Sequence, residues 1–197
     1  MAFNLGIIIS GRGSNMLNII NACQNRKLLS RVSIVISNVP DAEGLKIAQK
    51  KNIKTLIIDD KKQKTNSDFE GILSKSLIKE NVNLVCLAGF MKILTKGFIK
   101  KWEKKIINIH PSLLPSFKGI NAVEQALKYK VKYTGCTVHY VNERIDSGEI
   151  IDQKTVKILK NETLESLKKK ILIEEHKLYI NVLRYLERKF FYGKRKQ

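Results

Sequence analysis

Residues 108–115 read NIHPSLLP, and two of the chain's three prolines fall within these eight residues. Asn108 and His110 are two positions apart. On an extended strand, side chains two apart project to the same side, so an amide and an imidazole would face one space. An imidazole gives or takes a proton near neutral pH, and an Asn amide can donate to a developing oxyanion. Pro111 and Pro115 restrict the backbone just beyond. The pattern suits a positioned acid–base group, and it equally suits a histidine satisfied within the structure; these residues alone leave both open.

Two further stretches carry chemistry-bearing residues. ISGRGSN (9–15) lies between a strand-like and a helix-like run. Gly11 and Gly13 allow close approach of backbone N–H groups to an anion at a helix N-terminus, and Ser14 and Asn15 can donate or cap. A dinucleotide fingerprint would place a third glycine where Met16 stands and an acid at the end of the next strand, where the chain has Ser37 and Asn38. A single phosphate therefore fits better than a dinucleotide, and an ordinary tight turn is the plain alternative. In NERIDSGEII (142–151), Asp146 sits beside Ser147 and Gly148, where turn chemistry explains it as readily as catalysis does. His139 and His176 lack metal-ligand spacing, as do Cys23, Cys86 and Cys136. No metal is expected, and the thiols read as reduced.

These residues need a scaffold. FNLGIII, VSIVIS, KTLIID, NLVCLAG and KIINIH read as five strands. MLNIINACQN and the segments from about Asp41 to Lys51 and Asn66 to Glu80 read as helices between the first four. This alternation predicts an α/β fold, a mainly parallel sheet with helices on both faces. A helix over about Ala122–Lys128 follows. TGCTVHYV and EIIDQKTVKI then predict an antiparallel pair around the turn at 142–149. A long helix from about Leu164 to Lys189 closes the chain. One domain over residues 1–190 is expected, with a fraying basic tail at 191–197.

At 197 residues and 43% hydrophobic content the chain can bury a core of its own. No apolar run is long enough for a membrane span, and the N-terminus lacks a signal-peptide pattern, so a cytoplasmic protein is expected. The formal net charge is +19, but 30 of the 37 basic residues are Lys, dispersed along the chain. Nucleic-acid readers lean on clustered Arg and exposed aromatics, so the charge reads as solvated surface that also attracts anionic ligands. A basic nucleic-acid-binding α/β module remains the non-enzymatic alternative.

In order, ISGRGSN, SNVPDAEGL, LAGFMKIL, NIHPSLLPSFKG, GCTVHYV, IDSGEII and EEHKLY resemble the phosphoribosylglycinamide formyltransferases, folate-dependent enzymes of purine synthesis. The resemblance runs from about Leu5 to Leu186. It implies a Rossmann-like formyltransferase fold and transfer of a formyl group from 10-formyltetrahydrofolate, a cosubstrate, to the amine of glycinamide ribonucleotide. It implies catalytic roles for Asn108, His110 and Asp146, and ribonucleotide binding by Gly13, Ser14, Asn15 and Glu175. It further implies folate binding by Met91, Lys92, Ile93 and Leu94, by Asn108, and by Asn142, Glu143, Arg144, Ile145 and Asp146. The implied partners are small molecules, with neither nucleic acid nor membrane, in a monomer or weak homodimer. Several positions depart from the pattern. Asn66 stands where bacterial members often carry a folate-contacting Arg, with Lys64 nearby. Lys92 replaces a common Arg, KGINAVEQAL lacks the usual histidines, and Asn181 replaces a usual Pro. Methionyl-tRNA formyltransferase and formyltetrahydrofolate deformylase share the core motif, but each resembles a longer chain with an added domain.

Overall fold

The first strand, β1 (Asn4–Ile9), is buried at all six positions, as a strand covered on both faces must be. The computed structural model describes residues 2–193. The other strands are β2 (Arg31–Ser37), β3 (Thr55–Ile57), β4 (Leu84–Leu87), β5 (Ile106–His110), β6 (Tyr133–Tyr140) and β7 (Ile150–Lys157). They form one sheet in the order β3-β2-β1-β4-β5-β6-β7. The first five strands are parallel, whereas β6 and β7 pair antiparallel. The mixed α/β architecture predicted from the alternation is the one found.

Side chains alternate across the sheet, and the two cores follow that period. Leu5, Ile7 and Ile9 join one cluster with residues of α1 (Ser14–Gln24) and α6 (Leu164–Gly193). Ile8, Ile34 and Ile36 join the other with Phe69, Leu73 and Leu77 of α3 (Asn66–Lys79). The remaining helices are α2 (Glu43–Lys50), α4 (Lys96–Lys101) and α5 (Ala122–Lys128). Thr65 and Asp68 close a capping box at the start of α3.

Two elements differ from the sequence reading. The short α4 is not legible as a helix in LTKGFIKK. It starts because Thr95 Oγ1 accepts from the Phe98 N–H, while the buried Glu70 carboxylate accepts from the Thr95 N–H at 2.6 Å. The last helix runs past Lys189 to Gly193, with the Phe190 ring 4.7 Å from Phe3. Residues 191–193 of the expected tail thus continue α6, and residues 194–197 lie outside the described residues.

Tyr179 of α6 is fully buried and donates its hydroxyl to the Leu87 carbonyl at 2.9 Å, tying that helix to the end of β4. The three cysteines are free thiols. Burial pushes the Cys23 and Cys136 thiols up to about 12, with nearby carboxylates adding to the rise. Among the described residues no helix is long and apolar enough to cross a membrane.

Candidate active site

Strand β5 sits between β4 and β6, and its last residues carry Asn108 and His110. Directly opposed residues of an antiparallel pair share a face. The register sets Asn108 against His139 and His110 against Thr137. Asn108 Nδ2 lies 3.3 Å from His139 Nε2. The other His139 nitrogen, Nδ1, lies 2.8 Å from the Tyr140 carbonyl, which can only accept, so Nδ1 carries a hydrogen.

The segment between β6 and β7 brings the carboxylate. It leaves the sheet beside the start of β5, where Val141 N–H donates to the Ile106 carbonyl at 3.0 Å. It then folds back over the histidines. A Cβ on Gly148 would meet the Tyr140 carbonyl oxygen at 1.7 Å, so the return is possible only with glycine. Asn142 braces it, donating to the Ser147 carbonyl and accepting from the Arg144 N–H. Asp146 occupies the left-handed region at φ 46, which Asp tolerates better than most residues.

The Asp146 carboxylate reaches three groups. Oδ2 lies 3.2 Å from His110 Nδ1 and accepts from the Gly119 N–H at 2.8 Å, and Oδ1 lies 3.6 Å from His139 Nε2. Burial by itself would raise the Asp146 pKa. The adjoining His139 ring, the Gly119 N–H and the charge of the two histidines outweigh it, and the carboxyl is held below the usual aspartate value. His110 Nε2 lies 2.8 Å from the Phe117 carbonyl. Each His110 nitrogen therefore faces an oxygen acceptor, and a ring with a proton on each nitrogen makes hydrogen bonds at both ends.

Thr137 holds the proline loop in place. Its hydroxyl donates to the Ser112 carbonyl at 2.7 Å and accepts from the Leu114 N–H and from Gln153 Nε2. The Leu114–Pro115 bond is cis.

At the end of β1, Gly13 is the N-cap of α1 at φ 73, and no side chain caps that helix or places an acid in its first turn. A Cβ on Gly13 would lie 3.1 Å from Gly44 Cα at the start of α2. The first N–H groups of α1 are thus left open to an anion. The Asn15 side chain turns away from this opening. Its Nδ2 donates to Glu175 Oε2 of α6 at 2.8 Å, and its Oδ1 is buried with no partner among the described residues. Burial raises the Glu175 pKa, partly offset by the Asn15 amide.

Residues 91–94 lie beyond β4. Met91 and Ile93 are 76% and 65% exposed, but Leu94 is buried in the core beneath them. Lys92 extends to Asp60 at 3.5 Å and over the Phe69 ring. On the facing segment, Ile145 is 53% exposed and Arg144 is exposed, while Glu143 pairs with Lys96 at 3.1 Å across the opening. The structure thus brings Asn108, His110 and Asp146 together. It joins Asn15 of the 13–15 turn to Glu175, and it pairs Lys96, just past residues 91–94, with Glu143 of the 142–146 segment. His139, Thr137 and the Phe117–Gly119 backbone join the site without having been singled out in the sequence. The alternation in GCTVHYV put Thr137 and His139 on one strand face, and a register against β5 was the missing piece. Among the described residues no group of three or more His, Cys, Asp or Glu is placed to hold a metal.

Residues 3–183 match the formyl transferase family. The phosphoribosylglycinamide formyltransferase of Bacillus subtilis is 36% identical over 180 residues, covering 91% of this chain and 92% of that one. The trifunctional purine biosynthetic protein adenosine-3 of Chironomus tentans is 44% identical over 91% of this chain, and the match spans 13% of that protein's length. Glycinamide ribonucleotide transformylase 1 from Geobacillus kaustophilus superposes with a TM-score of 0.92 at 35% identity, over 94% of this chain and 99% of that one.

Proposed function

The chain belongs to the formyl transferase family, and from that premise we propose that it moves a formyl group from N10 of 10-formyltetrahydrofolate to the amine of N1-(5-phospho-D-ribosyl)glycinamide. The products are the N-formyl ribonucleotide and tetrahydrofolate, a step in purine synthesis. The observation that carries this reading is the His110–Asp146 pair at 3.2 Å beside Asn108, with an uncapped helix start nearby.

The phosphate rests on the N–H groups of residues 13–15, and Glu175 meets the ribonucleotide. The folate lies between residues 91–94 and 142–146, with the exposed Met91, Ile93 and Ile145 offering apolar contact. Holding both substrates converts a bimolecular encounter into a local one. The amine attacks the formyl carbon, and a C–N bond forms as the carbonyl becomes an oxyanion. The second N–H of the Asn108 amide and the His110 Nε2–H stabilise that charge; His110 exchanges the Phe117 carbonyl for the oxyanion. The bond to N10 then breaks, and the proton leaving the attacking amine ends on N10. Asp146 orients His110 and passes that proton.

The test is a transfer assay with three acceptors. Formyl transfer to glycinamide ribonucleotide, with little to initiator methionyl-tRNA or water, is the expected result. Preference for the tRNA, or release of formate without an acceptor, would replace this reading with one of the related activities.

A further inference from the structure

The two proposed substrate walls, residues 10–15 and residues 91–94, are joined by one chain of polar contacts. Ser10 directly follows β1 and opens the proposed phosphate loop. Its hydroxyl donates to Asn38 Oδ1 at 2.7 Å and accepts from the Met91 N–H at 2.9 Å. Asn38, 6% exposed just past β2, donates from Nδ2 to Asp60 Oδ2 at 3.2 Å. Asp60, in a 3-10 turn after β3, lies 3.5 Å from Lys92 Nζ. The path thus leaves residue 91 and returns at residue 92.

The direction of this chain is set at one end. A carboxylate only accepts, so the Asn38 amide must turn its NH₂ toward Asp60 and its oxygen toward Ser10. The Ser10 hydrogen is then committed to Asn38, and its lone pair faces the Met91 N–H. One ionised side chain therefore fixes the polarity of every link up to the backbone of the 91–94 wall. A second strut runs in parallel, with Ser10 N–H donating to the Gly89 carbonyl at 3.1 Å. The Lys92 ammonium is drawn inward by Asp60 and the Phe69 ring, its centroid 5.5 Å away. That pull seats the wall from the other side.

We propose that Ser10, Asn38 and Asp60 are positioning residues that hold the 91–94 wall at a set distance from the phosphate loop, so that occupying one subsite stiffens the other. The inference rests on the functional reading above, in which those segments hold the two substrates. A shared frame of this kind sets the gap between attacking amine and formyl carbon. Its loss shows in the chemical step and in the mutual effect of the two ligands, rather than in either ligand's binding alone.

The experiment compares wild type with Ser10→Ala, Ser10→Thr and Asp60→Asn. Calorimetry gives Kd for glycinamide ribonucleotide and for tetrahydrofolate, each alone and with the other present; kinetics give kcat. In wild type each ligand should tighten the other. In Ser10→Ala that mutual factor should fall toward one and kcat should drop about 10-fold, while each ligand alone binds nearly as in wild type. Ser10→Thr keeps the hydroxyl and should recover most of kcat. Asp60→Asn can present either face of its amide, so it should move kcat in the same direction by less. It also carries the test if Ser10→Ala fails to fold. Wild-type kcat and coupling in Ser10→Ala and Asp60→Asn would overturn the inference. So would parallel loss of Tm and both affinities, which is what a purely structural hydroxyl predicts. A wild-type chain that binds neither ligand defeats the functional reading itself, and that result appears before any variant is made.

Discussion

At the scale of single residues, Asp146 is the most informative side chain. Its carboxylate is shared by His110, His139 and the Gly119 N–H, and its backbone sits at positive φ. Asp146→Asn keeps the size and the tolerance for that backbone but can neither orient the imidazole by charge nor take a proton. Its kcat should fall about 10²–10⁴-fold, with small changes in both KM values and in Tm at neutral pH. The same variant reports the linkage. A carboxyl held below its usual value adds stability above the unfolded value of 3.8 and loses it as pH falls through the folded one. Any Tm deficit of Asp146→Asn at pH 7 should therefore shrink as the pH is lowered toward 3. Glu175 has the opposite sign. Burial raises its pKa, so the folded state favours its proton and loses stability as pH rises through that value. Glu175→Gln should melt higher than wild type at pH 8, with the gap closing toward pH 4, while its KM for the ribonucleotide rises.

At the scale of elements, long-range polar clamps do what local signals cannot. Glu187 of α6 is 2% exposed and accepts from the Leu29 N–H, the Ser30 N–H and the Ser30 hydroxyl at 2.9, 3.0 and 2.6 Å. It pins the last helix to the α1–β2 connection, about 158 residues away in sequence. Glu187→Ala strands the buried Ser30 N–H as well as the more exposed Leu29 N–H, and a buried unsatisfied donor costs about 1–3 kcal/mol. The variant should therefore lose several degrees of Tm, at about 2–4 °C per kcal/mol for a chain this size. Its kcat at 20 °C should be unchanged, because the clamp lies away from the His110–Asp146 pair. Circular dichroism melts alongside initial rates check this directly; a kcat loss without a Tm loss would contradict it.

At the scale of the whole molecule, the charge of +19 is spread along the chain, and both proposed substrates are anions. The resulting field raises their encounter rate and is screened beyond about 10 Å at 0.1 M salt. Consequently kcat/KM should decline between 25 and 300 mM KCl, with kcat at saturation much less affected. A flat kcat/KM together with tight tRNA binding would assign the charge to a different partner.

The alternation of apolar runs with helical spacing determined the α/β class, because a strand buried on both faces and an amphipathic helix leave distinct local periods. Local chemistry also offered an anion-ready turn at Gly13, beside the plainer reading of a tight turn, and it determined the same-side pairing of Asn108 with His110, since each depends on residues only a few positions apart. The proposed catalytic role of Asp146 came only through the family resemblance; its turn neighbours explained it equally well. Tertiary structure alone decided what meets what. The β5–β6 register put His139 opposite Asn108, and Gly148 let the chain fold back so that Asp146 reached both histidines. The Asn15–Glu175 bond spans 160 positions, and the path from Ser10 through Asn38 and Asp60 to Lys92 joins four separate segments of the chain. None of these contacts has a sequence period, because each forms between segments that only the packed sheet makes neighbours.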